Sequence, residues 1–515
     1  RAVGPSHVQN VNDATSFRYE TRKWGKPDHI RMQQLPAPAG HSRVQIELLD
    51  AAGVVCLDAD NFVRFGHAGD GRLIDNLGTV GGSRKVQLAN GRARIDVAIP
   101  AGGQASVSAQ IDGVRTQFIH LYEPTPAELE SRKKLAATAV ETRFKEVAAI
   151  ERDRVLQLAA IAMKKNPVSL RSVPLPAFAA KIGAAPGDFL SMGDYWWPNP
   201  DTKDGLPYLR RDGKSNPDNF DAHRQLMREM RDTVATLASA CLITHDAAYA
   251  QRAAEWLQVF FVDPATRMNP NLRFAQAIPG VSNGRGIGII DTLHLAEIPL
   301  AVTAIASADG VAPATLAGVR AWFADYLHWM LTDANGRDEA APKNNHSVAY
   351  TLQVAVVAKF TDDTAALNEA RKKFLGVLLP SQLAADGSFP HELSRTKPYG
   401  YSIFQLDNVA LLTEILSTPE QDLWQYTLPD GRSVAQAAAF LFPYLADRAA
   451  WPFATDIAHF DGWNVRQPAL LFAGYRLGRP DYLALWRQLP ADPTDLEVRR
   501  NLAVTQPLLW LQPGK

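Results

Sequence analysis

The sequence predicts a multidomain molecule: an N-terminal antiparallel β-sandwich of immunoglobulin type, then an all-α (α/α) toroid or incomplete barrel. Three observations lead there. Up to about Tyr122, apolar residues alternate with polar ones and short turns separate the runs. At Thr125-Pro126-Ala127-Glu128 a helix begins, with Thr as N-cap, Pro at the first helical position and Glu completing a capping box. Beyond it, apolar residues recur at three- and four-residue spacing with no strand pattern between them.

In the sandwich, Val44, Ile46 and Leu48 alternate with polar residues, as do Ile95, Val97 and Ile99, then Val107, Ala109 and Ile111. Gly69-Asp70-Gly71, Asn90-Gly91 and Asp112-Gly113 are turn signals between such runs. Short strands at this spacing assign residues 1–122 to the sandwich. Residues 123–170 are expected to be a helical linker whose mixed charges form a solvated face. Residues 171–515 are expected to be the toroid, with helices over 222–240, 247–261, 286–306, 313–331, 347–360, 365–379, 402–416, 433–445 and 466–476. No fixed-length repeat supports a regular solenoid. Long polar-aromatic loops between helix pairs favour a toroid with a cleft at one end.

Fifty-four Lys and Arg residues face 54 Asp and Glu residues among 515, so no global basic field draws in nucleic acid or an anionic membrane. Cys56 and Cys241 fall in different expected domains and lack metal-ligand spacing, so neither a disulfide nor a metal is expected. No apolar run is expected to reach the length of a membrane span. A chain beginning at Arg1 is expected to be processed, and the expected location is periplasmic or secreted, in a bacterium. No motif sets an oligomeric state, and no cofactor is called for.

Two segments carry the chemistry: Asn344-Asn345-His346-Ser347, and the stretch from Phe389 to Tyr401. The first follows Pro342 and opens an apolar-periodic helix, where Asn is a favoured N-cap. A cap accounts for one asparagine, not for both or for the histidine. A helix N-terminus also favours an anion, so a substrate carboxylate is expected there, bonded by Asn345 and His346 with Asn344 beside them. Such donors stabilise the aci-carboxylate that forms when a proton leaves the neighbouring carbon. Arg395 comes 49 residues after His346, and Tyr401 six after Arg395. A lone loop Arg is usually a surface charge, but Pro398 and Gly400 shape a turn here around two tyrosines. Arg beside a phenol is expected to lower its pKa, letting Tyr401 act as base and then as acid. Tyr399 is read as a wall or binding residue. These groups suit β-elimination on an anionic uronic acid polysaccharide.

Three clusters fit a sugar cleft. Tyr195-Trp196-Trp197-Pro198 puts aromatic faces in a loop, where core packing is the competing reading. Asn271, Gln276 and Arg285 lie in polar loops, and Trp463 opens a similar, less distinctive stretch. His391-Glu392 lacks the second histidine of a zinc helix, and His459 with Asp456 and Asp461 reads better as charged loop than as a metal site.

On these residues, the span 175–474 resembles the alginate-lyase-like polysaccharide lyases built on an α/α toroid. The Asn-His and Arg…Tyr pairs resemble the catalytic set of polysaccharide lyase families 5 and 38, the six-residue spacing being closer to family 38. The resemblance implies Tyr401 as combined base and acid, Asn345 and His346 at the carboxylate, Arg395 supporting the tyrosine, and Glu339 bound to the carboxylate while protonated. It also implies that the loops holding Asn271, Gln276 and Arg285 line the groove. Through Leu57-Asp58-Ala59-Asp60-Asn61-Phe62-Val63-Arg64-Phe65 and Gly69-Asp70-Gly71-Arg72-Leu73, the span 44–114 resembles the C-terminal sandwich of family 2 glycoside hydrolases, a non-catalytic module.

One tyrosine serving as base and acid must reach H5 and the C4 oxygen from one face of the sugar. Those groups are syn in glucuronate and mannuronate, so these are the expected substrates, with glucuronate chains favoured by the added sandwich. The competing readings are a glycoside hydrolase using two of Glu339, Glu392 and Asp407, and a non-catalytic carbohydrate-binding protein.

Overall fold

The sandwich strands form where the alternation places them. In the computed structural model, which describes residues 23–35, 37–38, 40–74, 83–418, 421–428 and 430–512, the chain divides into two units, Arg1–Leu135 and Ala136–Lys515. The first holds β1 (Pro27–Leu35), β2 (His41–Asp50), β3 (Phe62–Gly69), β4 (Arg72–Ile74), β5 (Ser83–Gln87), β6 (Arg92–Ala98), β7 (Gln104–Ile111) and β8 (Val114–Tyr122). They make two four-stranded antiparallel sheets, ordered β1-β2-β6-β4 and β5-β3-β7-β8. Val44, Ile46, Leu48, Val97, Val107 and Ala109 turn inward with Val63 and Phe65 to form the core. Between Ala89 and Arg92, Asn90 and Gly91 both take positive φ (51° and 70°), the hairpin turn their dipeptide encodes. At Gly91 a Cβ would stand 2.5 Å from the Cys56 carbonyl oxygen.

The helix Pro126–Ala162 starts at the expected capping box: Thr125 Oγ1 accepts the Glu128 N–H at 3.1 Å, and Glu128 accepts the Thr125 N–H at 2.8 Å. The division between the units lies within this helix.

In the second unit the helices make an open α/α arrangement, with no closed barrel among the described residues. Ala222–Thr244 packs on Ala247–Leu257, and Asn345–Thr361 on Pro398–Leu416. Three of the expected helices are irregular. The one over 247–261 ends in a π turn, Gln258–Val262, and the one over 365–379 does so at Phe374–Leu378. The one over 286–306 splits into a 3₁₀ stretch, Gly286–Ala296, and an α-helix, Glu297–Ile305. Pro299 has no N–H to donate backward, so it fits only the first turn of a helix and fixes that start. Contrary to the sequence expectation, the run Gly286–Ile305 reaches a membrane span's length and hydropathy (20 residues, mean hydropathy 1.4), but 67% of its apolar window is buried. It is a core element. Cys56 and Cys241 are both free and buried.

Candidate active site

Tyr401 stands in the first turn of the helix Pro398–Leu416, where free backbone N–H groups need acceptors. Asp456 takes two of them, from Tyr399 at 2.8 Å and Gly400 at 2.9 Å, while the Lys397 carbonyl accepts from Tyr401 at 2.9 Å. The Tyr401 hydroxyl lies 2.8 Å from that of Tyr195 and receives Arg395 Nη2 at 3.4 Å. The guanidinium covers the Tyr401 ring at 4.5 Å, and Lys397 Nζ sits 5.5 Å from the ring centres of both Tyr401 and Tyr195. Asp212 faces Arg395 at 3.8 Å. Lys397 pairs with Glu497, which also holds Arg500 at 2.8 Å; Arg500 reaches Asp194 at 3.0 Å. Asp194 in turn binds Arg224, which also holds Asp291 at 2.8 Å, Asp221 at 3.4 Å and the Met192 carbonyl at 2.8 Å.

These surroundings do not lower the Tyr401 pKa as expected. Burial drives the phenol well above its ordinary value, the neighbouring Tyr195 adds to this, and Lys397 and Arg395 only partly oppose it. Burial raises Tyr195 too.

Asn344 is the N-cap of the helix Asn345–Thr361, yet its side chain makes no capping bond. A carboxylate from elsewhere does that work. Glu392 Oε1 accepts the Asn345 N–H at 2.7 Å, and Oε2 accepts its side-chain amide at 2.6 Å. The helix N-terminus expected to receive a substrate anion is therefore already filled by the protein's own Glu392. Burial raises the Glu392 carboxyl, against the pull of the Asn345 bonds, Arg395 and His346.

His346 is half-buried, and its Nδ1 bonds Glu339 Oε1 at 2.8 Å. Glu339 lies wholly inside the protein and faces His346, so the direct contact with a carboxylate that the resemblance implies is closed to it. Burial raises the Glu339 carboxyl. For His346 burial pulls downward, but Glu339 and Glu392 outweigh it and the imidazole rises. The two sequence segments meet at Glu392, whose side chain holds Asn345 and whose carbonyl accepts the Arg395 N–H at 3.1 Å.

Trp196 and Trp197 form a short strand paired with Leu209–Arg210. Both rings are half-buried, with Arg285 5.9 Å over Trp196 and Arg211 5.1 Å over Trp197. Arg285, pulled down to about 10 by burial, binds the Gln276 side chain at 2.8 Å and its carbonyl at 3.0 Å. Gln276 is held at φ 49° and reaches Asp291 at 3.3 Å, joining the charged network behind Tyr195.

Two expected site residues, Tyr399 and Trp463, are committed to the core. Tyr399 is 2% exposed, gives its hydroxyl to the Tyr444 carbonyl at 2.9 Å and packs on Trp451 and Phe460. Trp463 is buried against Gly400, where a Cβ would come within 2.5 Å of its indole nitrogen. Asn271 caps a local turn through the Arg273 N–H at 3.3 Å. The carboxylates of the hydrolase reading are committed inside the protein, Asp407 accepting the Ala469 N–H at 3.1 Å. His459 pairs with Asp495, and Asp461 with Arg448. Among the described residues no group of three or more His, Cys, Asp or Glu could hold a metal. Sequence reasoning missed Lys397, Glu497, Arg500, Asp194 and Asp212. Lys397 alone carried a signal, since Lys is a poor residue for a helix N-cap.

Residues 181–451 match the alginate lyase family. The chain is 33% identical to an alginate lyase from Bacteroides ovatus over 70% of this chain and 95% of that one, with a TM-score of 0.62. The protein belongs to the alginate lyase family. As a member of it, the chain is a polysaccharide lyase. Two other solved structures also match this family member. A β-glucuronidase from Parabacteroides merdae is 40% identical over 21% of this chain and 13% of that one, with a TM-score of 0.19. The alginate lyase A1-III from Sphingomonas species A1 is 17% identical over 63% and 86%, with a TM-score of 0.40. No curated protein matches the chain.

Proposed function

We propose that this lyase cleaves a glucuronate- or mannuronate-containing polymer by syn β-elimination, with Tyr401 as base and acid. The supporting observation is the junction of the two segments: Glu392 clamps Asn345 beside His346, its carbonyl accepts the Arg395 N–H at 3.1 Å, and Arg395 reaches the Tyr401 hydroxyl at 3.4 Å. His346 and Arg395 are the donors for the substrate carboxylate, and Asn345, held by Glu392, orients the turn that carries His346. Its charge is neutralised as the proton on C5 becomes acidic.

Burial makes the Tyr401 phenolate scarce but strongly basic, which suits a weakly acidic carbon. Arg395 and the first turn of the helix stabilise the phenolate when it forms. The phenolate takes H5, and the electron pair passes into the carboxyl group as an aci-carboxylate. That pair then forms the C4–C5 double bond as the C4–O4 bond breaks. Tyr401 returns the proton to the leaving oxygen, so one side chain serves both steps from one face. The products are a 4,5-unsaturated uronosyl end and a free hydroxyl.

Initial rates on glucuronan, polymannuronate and polyguluronate at equal mass, read as ultraviolet absorbance of the new double bond, test the reading. Glucuronan or polymannuronate is cut fastest. Preference for polyguluronate, whose H5 and O4 lie anti, overturns the one-tyrosine mechanism.

A further inference from the structure

Lys397 sits where a lysine is poorly placed by local rules. It is the N-cap of the Pro398–Leu416 helix, where a cation opposes the macrodipole and cannot accept a backbone N–H. Its side chain is nevertheless turned inward, 4% exposed. Desolvating an ammonium is costly unless it is paired, and Glu497 supplies the pair. Glu497 lies 100 residues on, in the helix Leu496–Asn501, whose first N–H groups are capped by Asp495. Arg500 of the same helix clasps both Glu497 and Asp194, the residue before Tyr195. The following segment is fastened by Glu297, which accepts the N–H of Thr505 at 3.0 Å and of Gln506 at 2.9 Å.

Resting on the assignment of Tyr401 as base, we propose that Lys397 is a positioning residue for the elimination: its ammonium, held by Glu497 beneath the Tyr195–Tyr401 pair, stabilises the phenolate and so sets how much enzyme is in the base form. The equal 5.5 Å separation from both ring centres makes the cation common to the two phenols, whichever carries the negative charge. Of the two phenols Arg395 approaches Tyr401, and its charge is shared with Asp212. The charged groups around the pair are Arg395, Lys397 and Arg500 on the positive side and Asp194, Asp212, Asp456 and Glu497 on the negative. Lys397 is the cation among them that reaches both rings.

The test is the pH dependence of kcat and KM for the full chain and three variants on the preferred polymer. Lys397→Met lowers kcat about 10- to 100-fold near neutrality with KM nearly unchanged, and moves the rising limb of the kcat profile about one unit or more toward alkaline pH. Lys397→Arg restores most of the rate and returns the limb close to the parent's. Lys397→Gln, which keeps a polar group against the Glu497 carboxylate, moves the limb the same way as the methionine variant and is the arm that decides if that variant does not fold. An equal loss at every pH, an unmoved limb in both charge-removing variants, or no rescue by arginine overturns the inference. An active Tyr401→Phe enzyme instead sinks the base assignment itself, so the two failures are distinguishable.

Discussion

Glu392 grips Asn345 with both carboxylate oxygens, one on the backbone N–H and one on the side-chain amide. The asparagine's position thus depends on a residue 47 positions away. Replacing Glu392 with Gln sets one amide against another and leaves a buried donor unpaired. We expect a stability loss of about 1–3 kcal/mol, together with a fall in kcat. Thermal melts and rates on one polymer check this. A variant with parental values for both would show that the clamp is dispensable.

Tyr401→Phe removes only the phenol oxygen, while the ring still packs under Arg395. Turnover should fall at least about 100-fold, the lower end of what a positioned acid–base group contributes. The fold should persist, because the lost bond to Tyr195 amounts to roughly 1 kcal/mol. Circular dichroism and binding of intact polymer check the fold; rates within tenfold of the parent would move attention to His346.

The His346–Glu339 pair gives stability a definite slope with pH. The folded His346 holds its proton above the ordinary 6.5, because Glu339 and Glu392 outweigh burial. Burial likewise lifts Glu339 above 4.5. A group that binds its proton more tightly when folded stabilises the fold below its ordinary value and ceases to do so as pH rises through its folded one. For His346 that loss begins above pH 6.5. Thermal midpoints should decline from there into mild alkali, and His346→Asn should flatten the decline. An unchanged slope in the variant would show that other groups set it.

Glu297 is fully buried and serves Arg231 at 3.0 Å as well as Thr505 and Gln506. Glu297→Ala leaves Arg231 without this partner and frees the segment that follows. It should cost roughly 3–5 kcal/mol. Urea midpoints measure it; a shift below about 1 kcal/mol would mean that the segment is held mainly by its apolar residues.

The legible parts of the chain were those written in local pattern. Val44, Ile46 and Leu48 announced an inward-facing strand, and Thr125 with Glu128 announced a helix start. Tyr401, Arg395, His346 and Asn345 could be gathered because each sits in a short motif of unusual composition. Tyr399 and Trp463 went astray because an aromatic residue in a polar stretch reads alike whether it faces a cleft or the core. Only the Tyr444 carbonyl and Gly400 decide between the two. The role of Glu392 at the Asn345 helix was hidden for a related reason: the cap comes from another segment, where no local signal points to it. The pKa of Tyr401 was misjudged because one cation in sequence says nothing of how much water the fold removes.

The pairing of Lys397 with Glu497, and of Glu297 with Thr505, has a consequence for the order of events as the chain is made. Synthesis runs from the N-terminus, and pairings this distant form after local helices because loop closure must come first. The tyrosines, the asparagine and the histidine leave the ribosome well before Glu497 does. A nascent chain therefore carries the groups proposed above to touch the sugar while still lacking the segment that gives Lys397 its counter-charge. Under the role proposed for Lys397, the base reaches full strength only once the helix Leu496–Asn501 has been made and has docked.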